Sequence, residues 1–415
     1  MPRAGGVMAG RATIGERAGR YREALGLRRD EVAEAVGRSG EWLRSVEGGH
    51  RPIDRYTMVN ALAEALGVAP AELLGGPAGA GEAGLRDAHR AVPALRHTLL
   101  RAGLPQPTGE DSVPPGAVPD GLRRRVDTAH DLRRDGRYGD LGLRLPALLD
   151  ELRRLAAEAE GAARATADHL LTETLHLAAT QLRRLGHPDL AAVAATQAEQ
   201  VVAASGDPLL LTVADWIRAE ACAAAGARAE AEALTARGLD RLDPLLGTAG
   251  APARAVWDLW GTLHAVAAVL AAQRGRQAES ADHLAEAARA AGAVDRAGGP
   301  AEPPTDFCAA EVAVHALHAD LELGADGEAL ARLAAVDTAE LPKDRRARHG
   351  VDRARLRART GDDTAALREL LAADRLAPQT VRAHPLVPEL LLSAARRGRS
   401  AALAADTAAC LGIRL

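Results

Sequence analysis

The side chains best suited to chemistry cluster in GLRRDEVAEAVGRSGEWLRSVEGG (26–49). The chemistry is recognition by hydrogen bonding, not bond making. If Leu43 and Val46 face inward on a short helix, then Gly40, Glu41, Arg44 and Ser45 face outward. The planar guanidinium of Arg44 suits a bidentate contact with guanine, and Glu41 could accept from a cytosine amino group or repel a misplaced phosphate. Arg29, Arg38, Ser39, Arg51 and Arg55 flank this helix as candidate phosphate contacts. Phosphate contacts supply affinity, and base contacts supply sequence preference. Trp42 is bulky for a groove position and is expected to pack toward the next helix or the Arg51–Pro52 loop.

These side chains need a bundle of short helices to hold them. Ile14, Ala18, Tyr21 and Leu25 repeat at helical spacing and predict a first helix. A second runs Arg29–Val36, with Val32, Ala33 and Val36 inward. Gly37 and Arg38 form a turn, and Ser39 caps a third helix, Gly40–Glu47, by accepting a free N–H of its first turn. Asp54 can cap a fourth helix that buries Val59, Leu62, Ala63 and Leu66. Pro70 opens a fifth, where its missing N–H costs little.

The 415 residues suffice for two or three domains, and the net charge of −4 makes the chain no polycation. DNA affinity would therefore have to be local. Residues 1–77 carry 11 Arg against 10 Asp and Glu, so even the N-terminal unit is nearly neutral. Lys343 is the only lysine and Phe307 the only phenylalanine; the preference for Arg, Ala and Gly points to a GC-rich genome, and the core must be Leu, Ala and Val, which suits close helices. Cys222, Cys308 and Cys410 are far apart and predict reduced thiols rather than disulfides or zinc. No signal-peptide core and no long apolar run stands out, so a cytoplasmic chain without a membrane span is expected.

Residues 1–13 read as a disordered lead-in and 14–75 as the compact N-terminal domain. Residues 76–121 read as a linker with one helix at 82–102, including a glycine-rich joint at 75–81 and a Pro/Gly-rich segment at 103–121. From 122 to 415 only helical periodicity is visible, and it repeats. Marker glycines at Gly136, Gly186, Gly226, Gly275, Gly324, Gly361 and Gly398 lie 37 to 50 residues apart, each between a basic or small segment and an Ala/Leu-rich helix. This spacing predicts stacked helical hairpins, with an irregular helical bundle as the alternative.

The same region offers a candidate ligand groove. Trp216, Trp257 and Trp260 could stack on a ligand, although such residues are more often core. The Arg-rich run 344–360, with Arg348 and Arg353, could hold an acidic ligand or be a solvated face paired with nearby acids. His315 and His318, near Glu311 and Asp320, form at most a weak metal corner and read better as surface or interface histidines. No phosphate loop or nucleophile elbow occurs, so no enzyme, cofactor or metal is expected.

Taken together, residues 14–74 resemble the lambda-repressor/Cro (Xre-type) helix-turn-helix family. The resemblance rests on helix length, the Ala33–Gly37 spacing, the Ser39 cap, SVEGG (45–49) and ALAEALGV (61–68). It departs at Arg28, where the family usually has a capping Ser or Thr, and at Arg29, where it often has Gln. The repeats resemble tetratricopeptide repeats, and the whole resembles actinobacterial regulators of that combined design and, remotely, peptide-responsive Rgg/PlcR-type regulators. The resemblance implies an all-α protein in which a five-helix reader precedes a helical solenoid. It implies a homodimeric transcription factor on a palindromic operator, with a peptide, small-molecule or protein effector in the groove. The competing readings are a repeat scaffold with a vestigial or weak reader, and a module that only dimerises.

Overall fold

The computed structural model describes residues 11–76, 85–104, 120–203, 205–247, 253–298, 304–333 and 335–415. Every regular element among them is a helix. The N-terminal five are α1 (Ile14–Ala24), α2 (Arg29–Ala35), α3 (Gly40–Glu47), α4 (Tyr56–Leu66) and α5 (Pro70–Leu74). They enclose Ile14, Ala18, Val32, Leu43, Val46, Val59, Leu62 and Leu73 in one core.

Order begins earlier than 14. Thr13 Oγ1 accepts from the Glu16 amide at 3.0 Å, and the Glu16 carboxylate accepts from the Thr13 amide at 2.7 Å, a reciprocal cap that starts α1. The first ten residues of the expected lead-in lie outside the described residues. Leu25 does not join the inward face: α1 ends before it and it is 53% exposed. Asp54 does not cap α4 either. Arg55 holds the cap position without a side-chain bond, and the Asp54 backbone is used elsewhere, as described below.

The region expected as a linker with one helix holds two, α6 (Arg86–Arg90) and α7 (Val92–Leu100). Leu85, Ala88, Val92, Leu95 and Leu99 are buried in the same core as the helices that follow, so this segment belongs to that helical body. Residues 77–84 and 105–119, which carry most of the glycine-rich joint and the Pro/Gly-rich segment, lie outside the described residues.

The remainder is a series of hairpins. They are α8 (Asp120–Arg134) with α9 (Tyr138–Glu158), α10 (Gly161–Arg184) with α11 (Pro188–Val202), and α12 (Pro208–Ala225) with α13 (Arg228–Leu246). Then come α14 (Arg254–Gln273) with α15 (Gln277–Ala297), α16 (Ala309–Leu323) with α17 (Asp326–Leu333), and α18 (Lys343–Arg359) with α19 (Asp363–Leu376). After a short α20 (Pro378–Arg382), α21 (Val387–Arg396) pairs with α22 (Ala401–Leu411). All seven marker glycines sit in the hairpin turns at positive φ, from 65° to 92°, where a Cβ would be strained.

The first helices of six hairpins, α8, α10, α12, α14, α16 and α18, each touch the next, and α18 touches α8. They form a closed inner ring, with the second helices outside. The closure is stepped: the last turn of α8 meets the first turn of α18, where Lys343 pairs with Asp135 at 2.9 Å and Arg133 lies 3.8 Å from Asp344. Asp306, at φ 52°, is held in this step by both Arg133 and Arg134, and the adjacent Phe307 ring lies over Gly261, where no Cβ would fit.

α14 is long and apolar enough to cross a membrane, but 72% of its apolar window is buried inside the protein, as in a core helix. Its many alanines make this core helix as apolar as a span although no unbroken apolar run of spanning length occurs in it.

Candidate nucleic-acid interface

α3 forms where expected because Ser39 supplies its cap: Ser39 Oγ accepts from the Trp42 amide at 3.2 Å. Leu43 and Val46 are fully buried and orient the helix. Glu41 and Arg44 stand outward with side chains 76% and 64% exposed. They also bond to one another, Arg44 Nη1 to Glu41 Oε2, one turn apart. Arg44 can therefore reach a base only by leaving or carrying Glu41. Gly40 is half-buried rather than outward, and a Cβ there would collide with the Asp30 carboxylate. Ser45 is half-buried too, and its carbonyl accepts from the amides of His50 and Arg51 at 2.9 and 3.1 Å. Both serve the geometry of the helix more than its reading face.

The phosphate candidates divide. Arg38 and Arg51 are exposed beside α3 with no acidic partner among the described residues, and Ser39 lies beside Arg38. Arg38 lies 5.8 Å above the Trp42 ring, so Trp42 braces a basic group instead of entering a groove or packing on the fourth helix alone. Arg29, in contrast, bonds Glu47 at 2.8 Å. Arg22 holds the other oxygen of the same carboxylate at 2.5 Å. The expected phosphate contact is thus an internal tie between α1, α2 and the end of α3. Glu31 fills the capping gap at Arg28, accepting from its amide at 2.8 Å, and those bonds lower its pKa.

Arg55 is also withdrawn. Its guanidinium lies against Gly324 of the α16–α17 turn, where it is half-buried. This contact belongs to a seam that joins the reader to the ring. Glu389 of α21 is buried and accepts from the amides of Ile14 and Ile53 at 3.1 and 3.3 Å. Glu322 of α16 accepts from the Thr57 amide and hydroxyl, both at 2.9 Å. Arg355 of α18, with no exposed surface, donates to the Asp54 carbonyl at 2.6 and 3.0 Å and pairs with Glu322 and Asp352, each at 2.7 Å. Arg396 donates to the Gly49 carbonyl at 2.6 Å. Leu386 enters the reader's own core. Tyr56 lies between His318 and His384, with ring centroids 6.5 and 6.4 Å away. Burial pushes its phenol up to about 12.

Two cavities lie along the seam. One of about 200 Å³ is bounded by Pro52 and Asp54 on the reader and by Arg359, Leu386, Glu389 and Arg397 on the ring. A second of about 360 Å³ lies between α4–α5 and the turn at Gly226, against which Pro70 is set. The seam joins residues hundreds of positions apart, so no local pattern marks the joint as a whole. Its one local signal was Glu389, an acid inside the apolar run VPELLL (387–392).

The candidate groove residues also divide. Trp216 is 3% exposed and lies edge-on to His176 at 4.6 Å, in the wall of the ring. Trp260 is 8% exposed and faces His264 at 4.6 Å. Trp257 lies under Arg289 of the outer α15 at 5.1 Å. Arg353 pairs with Glu369 of the outer α19 at 2.7 Å. Of the five, Arg348 and Trp216 remain at the inner layer, and Trp216 is too buried to stack on a ligand. The Arg-rich run is no solvated face, since Arg355 is fully buried and Arg345 is largely so. His315 and His318 do not converge: His315 Nδ1 faces the Glu311 carbonyl at 2.8 Å and His318 the Asp352 carboxylate at 3.0 Å.

A helix-turn-helix domain family matches residues 13–74, the segment spanning Thr13, α1–α5 and their turns. No curated protein matches the chain.

Proposed function

We propose that the chain is a sequence-specific DNA-binding transcriptional regulator and not an enzyme. It acts in the cytoplasm as a homodimer on a palindromic operator, under the control of an effector bound to tetratricopeptide-like repeats. The observation that carries this reading is the orientation of the docked domain. The seam consumes Ile14, the Gly49 carbonyl, Ile53, Asp54, Arg55, Tyr56 and Thr57, none of them on the outer face of α3 itself. Arg38, Glu41, Arg44 and Arg51 stay exposed. A helix presented in this way suits the major groove, and a dimer would place two such helices about 34 Å apart on one face of DNA.

A single reader with this few cations buries too little to bind tightly, so pairing two copies is needed for useful affinity. Because the reader's backbone is bonded to the ring, the ring sets where it points. A ligand that prefers one ring shape over another would shift DNA affinity by that difference. Site selection with the full chain at low salt tests this. A single enriched, two-fold symmetric motif is expected, together with a dimer in sedimentation.

One observation favours the second reading, a protein-interaction scaffold with a weak reader. Arg44 is paired with Glu41, and Arg29 with Glu47, so two of the expected DNA contacts are already engaged. Absence of any enriched motif, with retained capture of a protein partner, would favour the scaffold.

A further inference from the structure

The inner faces of α16 and α18 form a ladder of ion pairs. Glu311 bonds Arg345 at 2.8 Å, His318 bonds Asp352 at 3.0 Å, and Glu322 bonds Arg355 at 2.7 Å. Partners are separated by 33 or 34 residues, so the helices run in constant register. One rung breaks the pattern. His315 falls opposite Arg348, and neither is an acid. Arg348 has no ion-pair or hydrogen-bond partner among the described residues, and it is only half-exposed. His315 brings no negative charge to it: its Nδ1 faces the Glu311 carbonyl, and burial pushes its pKa down to about 4, so the ring is neutral. Across the ring, Arg183 already has its own acid, Glu220, at 2.9 Å.

The inner face is open to solvent at this level. Arg183, Glu220 and Arg345 keep 18%, 21% and 19% of their side chains exposed, although they sit on inner helices. In the same wall, Trp216 Nε1 is a buried donor without a partner, and Nδ1 of the neutral His176 also has none. A half-exposed guanidinium that has no acid of its own, on the accessible inner face of a closed ring of helices, is an arrangement that recognises an anion.

We propose that the channel binds one small anion, a carboxylate or phosphate group, at Arg348, on the rung of the α16–α18 ladder that lacks an acid. This deepens the effector reading above and rests on it for its consequence. The anion completes the ladder between Glu311–Arg345 and His318–Asp352. The next rungs hold the reader through Arg355 and Glu322, and Tyr56 of the reader faces His318. Occupancy therefore acts one rung away from the dock.

The test is titration of the full chain with inorganic phosphate, and in parallel with acetate, at constant ionic strength, followed by calorimetry and thermal melting. A saturable rise in melting temperature is expected with at least one of the two, and which one separates phosphate from carboxylate recognition. Arg348→Met is expected to weaken binding at least about tenfold, the scale of one charge-assisted contact. Without added anion it is expected to melt at or above the wild-type temperature, because it removes an unpaired charge. Arg348→Lys keeps the charge and is expected to retain saturable binding. Equal responses in all three proteins would overturn the site, since excluded salts stabilise any fold alike. So would a lower melting temperature of Arg348→Met in the absence of anion, which marks a structural partner. Saturable, Arg348-dependent binding with unchanged affinity for the selected DNA would leave the site standing and sink effector control.

Discussion

Arg44 and Glu41 form an exposed pair one helical turn apart, and such pairs contribute little stability. Their cost lies in recognition, because Arg44 must trade Glu41 for a base. Arg44→Ala is therefore expected to relax preference at one base pair by about 1–3 kcal/mol in a site-selection assay while non-specific binding falls less. Arg51 carries no such tie. Arg51→Ala should weaken binding evenly across sequences and reduce the slope of log affinity against log salt by about 1, measured by titration over salt. Arg29 differs from both. It and Arg22 share the Glu47 carboxylate, whose side chain is only 8% exposed. Arg29→Ala should lower the melting temperature of the chain without the even change in salt slope that a phosphate contact would give. A full slope change with unaltered stability would return Arg29 to the phosphate-binding set.

At the level of elements, the reader is held by α16, α18 and α21 through groups that are costly to leave alone. Glu389 satisfies two amides, Ile14 and Ile53, in a buried place that pushes its own pKa up. Glu389→Ala removes both acceptors and is expected to destabilise by about 1–3 kcal/mol per orphaned amide. Hydrogen exchange should show this as faster exchange at 12–17 and 51–57, with the ring unchanged. Arg355→Met is harsher: it leaves Glu322 and Asp352 buried against each other, an error of about 3–5 kcal/mol for a broken buried pair. If Arg355→Met left melting unaltered, the seam would not be the joint described. Local signals failed here because the partners are far apart in sequence, Glu389 lying 336 positions after Ile53 and Arg355 301 positions after Asp54.

Over the whole molecule, packing of the hairpins on one another and on the reader buries titratable groups, His264 against His283 of the outer α15 and His384 against Tyr56 among them. Burial pushes His176 and His384 down to about 3, and His264 and His315 down to about 4. These histidines are neutral when folded and titrate near 6.5 when unfolded. Between those values the unfolded chain binds more protons, so stability is present above pH 6.5 and is lost as pH falls toward 4. The loss is about 1.4 kcal/mol per pH unit for each such group. Glu311 acts oppositely: burial raises it to about 7, so its contribution is present below pH 4.5 and is lost as pH rises through 7. His187, down to about 4, and His283 and His349, also lowered by burial, act with these histidines. Asp320, Asp344 and Glu389, raised by burial, act with Glu311, so the depressed histidines outnumber the raised acids. Denaturant midpoints measured from pH 7 to pH 4.5 should fall, and a flat profile would show that these imidazoles are not shielded from water in the folded chain.

What the sequence determined by itself is local. Periodicity placed the helices of residues 14–74, the Ser39 hydroxyl started α3 at Gly40, and glycines able to adopt positive φ marked all seven hairpin turns. These depend on interactions within a few residues, which a linear pattern records. It also placed Leu43 and Val46 inward and Arg44 outward, as found. The tertiary structure decided the rest: that Arg29 and Arg55 are spent inside the protein, that Asp54 offers its carbonyl rather than a cap, and that Trp257 and Trp260 face outer helices. It also decided that the hairpins close into a ring and that the reader is bonded to it. Each of those outcomes depends on which distant groups meet and on how much water remains between them. The spacing of residues along a chain does not contain that.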